Sequence, residues 1–284
     1  MSKKFKLTKN TKVVSDTTVF QIQALVDIPS IGVKKGDLGG YVEKESNLSQ
    51  EGTAWISGSA LVYENAHVYS NAWISGNAHV HGNAQVYGDA RVYGTAEVYG
   101  DAQVSGNAQV YGTALVYGDA QVYGDALVYE NARVYGNAWI SGNAEVYGSA
   151  RVYGTAEVYG TAEVYGTALV SGDATVSGNA RVSGNAHVYG NALVSGSALV
   201  SGDARVSLKY SSLCQIQGSK HFVTIMDDNI QIGCILKKYK EWKKEVNKIG
   251  QENGYTKEQI EEYKKYIELG KPKTIIQQLI DMVL

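Results

Sequence analysis

Acid–base or metal chemistry at neutral pH starts with histidine. Four of the five histidines, His67, His79, His81 and His187, fall in one repetitive stretch of this 284-residue sequence. Each takes a position that the surrounding repeat elsewhere gives to Gln, Arg, Leu or Tyr. His79 and His81 flank Val80 and form the one cluster. Two imidazoles are half a metal site, and no Cys or third ligand recurs near them in sequence. The acids scatter over several phases of the repeat, so they place no paired carboxylates. Neither a phosphate-binding loop nor a Ser–His–Asp signature occurs. Cys214 and Cys234 make neither a disulfide framework nor a zinc cluster. The expectation is no catalytic residue, no metal and no cofactor.

The tyrosines carry more. Tyr outnumbers Phe by 21 to 3, which places most aromatics outside a core. Their setting is a hexad, Ala-x-Val-(Tyr/Ser)-Gly-(Asn/Asp/Thr/Ser), unbroken from Ala54 to Val206. Every sixth residue from Ile56 to Val206 is Val or Ile, which makes 26 hexads, and Ala stands two places before each. The Gly slot is looser, with Glu64, Ser70 and Glu130 in it. Residues two apart share one side of a strand, so Ala and Val face inward. The residue between them, and the Tyr or Ser after Val, face outward. Gly with a small polar residue makes the corner. Three-residue strands between tight corners stack as a parallel β-solenoid.

Three hexads per coil give a triangular prism of 18 residues a turn and eight to nine coils. At ~4.8 Å per coil the rod is about 40 Å long. A two-sided coil of 12 is equally compatible with the hexad. Trp55 and Trp73 are 18 apart, but Trp139 lies 66 beyond Trp73 and follows no 18-residue step. With 18 per coil, Tyr93, Tyr111, Tyr129, Tyr147 and Tyr165 stack on one face. Tyr99, Tyr117, Tyr135 and Tyr153 stack on a second, while Ser105 and Ser141 break the third. Stacked rings stabilise neighbouring coils by ~0.5–1.5 kcal/mol per good pair. The same rings make a flat, rigid, amphipathic surface for a protein or a ring-bearing ligand.

Residues 1–50 hold short β-like runs and read as a β-rich cap with a degenerate first coil beginning near Gly40. Val42 and Leu48 are taken to keep the six-residue phase into Ala54. The solenoid proper spans 51–207, and 208–284 form an α+β cap. In that cap, 221–236 reads as one hairpin across Asp227-Asp-Asn229. Thr256-Lys-Glu-Gln259 is a capping box, opening a helix with Ile260, Tyr263 and Ile267 on one face. A last helix from Pro272 carries Ile275, Ile276, Leu279, Ile280 and Val283, an apolar stripe for docking on the cap or for a homo-oligomer contact.

The lead-in Val33-Lys-Lys-Gly-Asp-Leu-Gly-Gly-Tyr-Val-Glu, then Asn47-Leu-Ser-Gln-Glu-Gly-Thr-Ala-Trp-Ile56, resembles that of the YdcK-type hexapeptide-repeat family. The resemblance covers roughly residues 5 to 206. It implies a left-handed triangular β-helix and brings no reaction and no catalytic residue. Its members in bacteria, phages and prophages suggest an inhibitor of a host or defence protein. The hexad also resembles that of hexapeptide acyltransferases, which typically use a His base and a CoA-type donor. There, however, Gly often directly follows the aliphatic residue. Here Tyr or Ser usually does, and no loop interrupts the hexads to build a pocket.

Charge is segregated. The solenoid segment 51–206 holds 5 Arg, no Lys and 13 acids, net −8. Each flank is net +3, giving −2 in all. A rod of −8 falls well short of the one charge per ~1.7 Å of duplex DNA. With no basic stripe, it is not expected to bind nucleic acid. No apolar run approaches the ~20 residues of a membrane helix. Met1-Ser-Lys-Lys-Phe-Lys-Leu continues into no apolar stretch, so a cytoplasmic protein is expected. Together these features predict an all-β parallel solenoid. Its expected role is a non-enzymatic scaffold for a protein or ring-bearing ligand, with an acyltransferase or a structural polymer as alternatives.

Overall fold

The computed structural model describes residues 3–207, 213–226 and 229–271. The hexads form a parallel β-solenoid of three faces and eighteen residues per coil, since Trp55 pairs with Trp73, Leu61 with His79 and His67 with Gln85. A twelve-residue coil is thereby excluded. Each rung is two residues long, not three, because Ala already belongs to the corner. The Trp55 face has nine rungs, from Trp55–Ile56 to Leu199–Val200. The His67 face has eight, from His67–Val68 to Leu193–Val194. The Leu61 face runs from Leu61–Val62 to Arg205–Val206.

The hexad explains the coil residue by residue. The inward Ala and Val side chains are fully enclosed along nearly the whole rod. The backbone of each rung bonds the coil beyond it: the Gln121 amide donates to Ala138 at 2.9 Å and the Tyr123 amide to Ile140 at 3.0 Å. The corner needs positive φ. At Gly124 φ is +72°, and a Cβ there would lie 2.9 Å from the Gly142 nitrogen. Glu64 and Glu130 hold the same conformation at φ 57° and 58°. Their carboxylates accept from the Gly82 and Gly148 amides at 2.7 and 2.9 Å, which offsets the strain of a Cβ there. The last corner residue forms side-chain ladders, such as Thr167 to Asn185 to Asp203.

The N-terminal end is closed by antiparallel strands. β1 (Phe5–Val14) pairs with β2 (Thr17–Ala24), and β2 with β3 (Leu38–Val42). β3 then joins the Leu61 face in parallel, Val42 opposite Val62. Here one expectation fails. Val42 pairs twenty residues on, and so does Leu48 with Val68. The six-residue phase slips by two between Leu48 and Ile56, and the added length makes a wider corner at Ser49–Gly52. That corner grips β1: Gln50 accepts from the Lys4 amide at 2.7 Å, and the Lys4 ammonium donates to the Glu51, Gly52 and Ala54 carbonyls. Gly39 and Gly40 let β3 lie on the first coil, because a Cβ at either would come within 2.5 Å of Ile56.

At the other end, strands Leu213–Gln217, Phe222–Met226, Asn229–Ile232 and Ile235–Lys238 form an antiparallel sheet. The expected single hairpin is therefore two, because Gly233 at φ 57° turns the chain again before Ile235. Helices α1 (Tyr239–Glu252) and α2 (Lys257–Leu269) cover one side of it. Val223, Ile225, Ile230 and Ile232 pack there with Trp242, Val246 and Tyr263. The capping box forms as expected, and Ile260, Tyr263 and Ile267 are buried. On the sheet's other side, buried Gln231 accepts from the Arg205 amide of the last rung at 3.3 Å, a bond the next coil would otherwise make. The stripe Ile275, Ile276, Leu279, Ile280 and Val283 lies outside the described residues. Among the described residues, no helix is long and apolar enough to cross a membrane.

Candidate functional site

Both tyrosine ranks form. From Tyr93 to Tyr165 on the Trp55 face, successive rings lie 4.8–5.0 Å apart and within 6° of parallel. From Tyr99 to Tyr153 on the Leu61 face the spacing is 4.8–4.9 Å and the tilt at most 5°. The spacing is the coil repeat itself, so each ring covers its neighbour's face. What the ranks offer outward is ring edges and hydroxyls, not open ring faces. The third face is interrupted as expected, with one stacked pair, Tyr69 on Tyr87.

The hydroxyls follow a rule. Where a Tyr on the Trp55 or His67 face has Gln or Glu sixteen positions on, its hydroxyl donates to that side chain. Tyr93 reaches Gln109 at 3.1 Å, Tyr129 reaches Glu145 at 2.9 Å, and Tyr69 reaches Gln85 at 3.2 Å. Burial raises the Tyr129 pKa, and the hydrogen bond to Glu145 raises it further. Tyr147 is pushed up to about 12 by burial and by the charge of Glu163.

His81 is a correction. The sequence grouped it with His79, but the structure makes it a member of the second rank. Its ring is stacked on Tyr63 at 4.8 Å and on Tyr99 at 5.1 Å. The rank therefore runs from Tyr63 to Tyr153, and the eighteen-residue step through 63, 81 and 99 was the signal for it. His79 does not join; it meets Tyr63 edge-on at 6.5 Å. Among the described residues, no three His, Cys, Asp or Glu side chains gather as a metal would need.

Burial pushes the His81 pKa below its ordinary 6.5, while Glu64 and Glu97 pull it back. The unfolded chain then binds the proton first, so stability is complete above pH 6.5 and falls as pH drops toward the folded value. His81→Tyr should remove this acid-side loss and complete an all-tyrosine rank. The expected gain is about 1 kcal/mol, a rise of about 2–4 °C in thermal midpoint. Melts at pH 7 and pH 5 check it, and a lower midpoint for the variant at both values would contradict the stacking role.

The C-terminal cap holds a small recess of about 70 Å³ lined by His221, Cys234, Trp242, Ile249, Tyr255 and Tyr263. Its walls are mainly apolar. The His221 Nδ1 and the Tyr255 hydroxyl are hydrogen-bonded to each other, and burial pushes Tyr255 up to about 12.

The coil geometry agrees with what the sequence is similar to. The YdcK β-solenoid repeat model matches residues 84–100, 120–136, 168–184, 174–189 and 186–202. These stretches are similar to YdcK β-solenoid repeats. The matched stretches fall within the rod and include Tyr93, Tyr99, Tyr123 and Tyr135. Among curated proteins, nothing matches the chain.

The three faces of the rod differ in polarity. Glu145 and Glu163 stand on adjacent rungs of the Trp55 face, where Tyr129 and Tyr147 donate to them and Arg181 approaches Glu163 at 3.3 Å. The His67 face presents Gln85, Gln103, Gln121 and then Trp139, which is 43% exposed. On the Leu61 face the corresponding middle rungs are Leu115, Arg133, Arg151 and Leu169.

Proposed function

We propose that this protein is a non-catalytic binding scaffold that presents its tyrosine-ranked faces to a protein partner. The observation that carries the reading is the pair of continuous ranks on an uninterrupted rod. Rings held by their neighbours have already lost their rotamer freedom, so binding costs little further side-chain entropy. They expose edges and hydroxyls, which suit the mixed polar and apolar surface of a protein better than an inserted planar ligand. The rod also lacks the extruded loop that would wall a pocket beside His79 or His81 in an acyltransferase.

The test uses the triple variant Tyr111→Ser, Tyr129→Ser and Tyr147→Ser. Serine already occupies the same slot at Ser105, Ser141 and Ser183, so the rod should fold. Partners retained by the wild-type chain from its own cells are quantified by mass spectrometry. The expected result is at least a tenfold loss for the triple variant with an unchanged circular dichroism spectrum. Retention of the partner by the folded variant would reject the face assignment. The finer reading is that the partner is a bacterial host or defence factor, which the family resemblance motivates. The partner's own activity, with and without the rod, tests that.

A further inference from the structure

On the Leu61 face, Leu115, Arg133, Arg151 and Leu169 stand in register on four successive rungs. Arg133 and Arg151 are directly opposite each other, exposed, and separated by one coil, ~4.8 Å. Like charges facing across a ladder are destabilising. Other paired arginines are placed differently: Arg91 stands between Trp73 and Gln109, and Arg181 meets Glu163. Among the described residues, neither Arg133 nor Arg151 has an ion pair.

The hydroxyl rule sharpens the contrast. On the other faces a Gln or Glu sixteen positions after a Tyr accepts its proton, as Gln85, Gln109 and Glu145 do. On this face the same places hold Arg133 for Tyr117 and Arg151 for Tyr135. A guanidinium has five donors and no acceptor. Two guanidiniums and two hydroxyls therefore form a patch of surplus donors. Their field is felt locally, since Arg151 and Arg133 pull the Tyr135 pKa down against the burial that raises it.

We infer that this patch is a docking site for an acidic protein segment, whose carboxylates pair with Arg133 and Arg151 and whose apolar neighbours rest on Leu115 and Leu169. The inference rests on the scaffold reading and gives the partner its chemistry. A nucleic acid fits less well, because the remaining rod is strongly acidic and would repel a continuous polyanion. Paired carboxylates on a peptide place their charge only where the two arginines are.

The test titrates the full chain with a synthetic Leu-Glu-Gly-Glu-Leu peptide and follows the arginine Nε–Hε signals by NMR. Comparisons are its Gln-for-Glu analogue and a single-stranded oligonucleotide. The expected result is saturable binding of the Glu peptide that shifts two arginine signals, weakens with salt and is lost with Gln. Arg133→Gln with Arg151→Gln should weaken it at least tenfold, and Arg91→Gln should leave it unchanged. The double variant should also melt about 1–3 °C higher, because a like-charge pair is gone. Absence of binding, equal binding by the double variant, or tighter binding of the oligonucleotide would overturn the inference. So would a lower midpoint, which would make the pair structural. If the double variant keeps the natural partner while the Tyr→Ser triple loses it, this inference falls and the scaffold reading stands.

Discussion

Replacing Val122 by Asp cuts the rod in two. Val122 is fully enclosed, with Val104 on one side of it and Ile140 on the other. The inward column contains only Ala, Val and Ile, so the carboxylate finds neither a cation nor a hydrogen-bond donor. A buried, unpartnered charge costs about 3–5 kcal/mol, a large part of an ordinary domain's stability of about 5–15 kcal/mol. Each coil touches only its neighbours, so the damage is not shared across a common core. The N-terminal coils stay anchored to β1–β3 and the C-terminal coils to the α+β cap. Limited proteolysis should therefore produce cuts near the corners at 118–119 and 124–125, which the wild-type rod resists. Gln121→Asp, one residue earlier and facing outward, should change stability by about 0.5 kcal/mol or less. Equal protection of Val122→Asp and wild type would show that the interior is not dry there.

Above pH 10 the rod should lose stability steeply. Tyr63, Tyr69, Tyr93, Tyr99, Tyr111, Tyr129, Tyr135 and Tyr147 all have pKa values raised above 10.0, with burial the leading cause in each. The folded state holds these protons after the unfolded chain has released them. Their contribution is complete below pH 10 and is lost as pH rises through the folded values, which reach about 12 at Tyr147. Lys4 acts in the opposite sense. Burial lowers its pKa to about 8, so between pH 8 and 10.5 the unfolded chain holds the proton that the fold sheds, and stability rises slightly. Eight tyrosines outweigh one lysine, which predicts a plateau and then a fall. Tyrosinate absorbance and far-ultraviolet circular dichroism should change together above pH 10. Ionisation centred at pH 10 with an intact fold would show that the ranks do not confine their hydroxyls.

The rod and its surface were legible to different depths. The hexad fixes what faces inward, since alternation along a strand is a local rule and Ala54 through Val206 repeat it without error. It also marks each corner, because Gly or a short polar side chain answers a local demand for positive φ. The five-membered and four-membered tyrosine ranks follow once a coil length is assumed. His81 was misread because its neighbours were sought at 79 and 80, whereas its contacts are eighteen residues away at Tyr63 and Tyr99.

The inside of this protein is written in its local pattern: an Ala and Val interior, glycine corners and parallel coils that bond only to their neighbours. Pairing between coils sets the coil length, because a hexad fits two sides or three, and registers such as Trp55 with Trp73 separate them. The tertiary structure decided the twenty-residue first coil, whose extra length has meaning only through Lys4 and Gln50 reaching it from β1. It also decided that Arg133 and Arg151 meet. Residues a full coil apart become neighbours when the chain closes its turn, and no local rule of sequence carries that proximity.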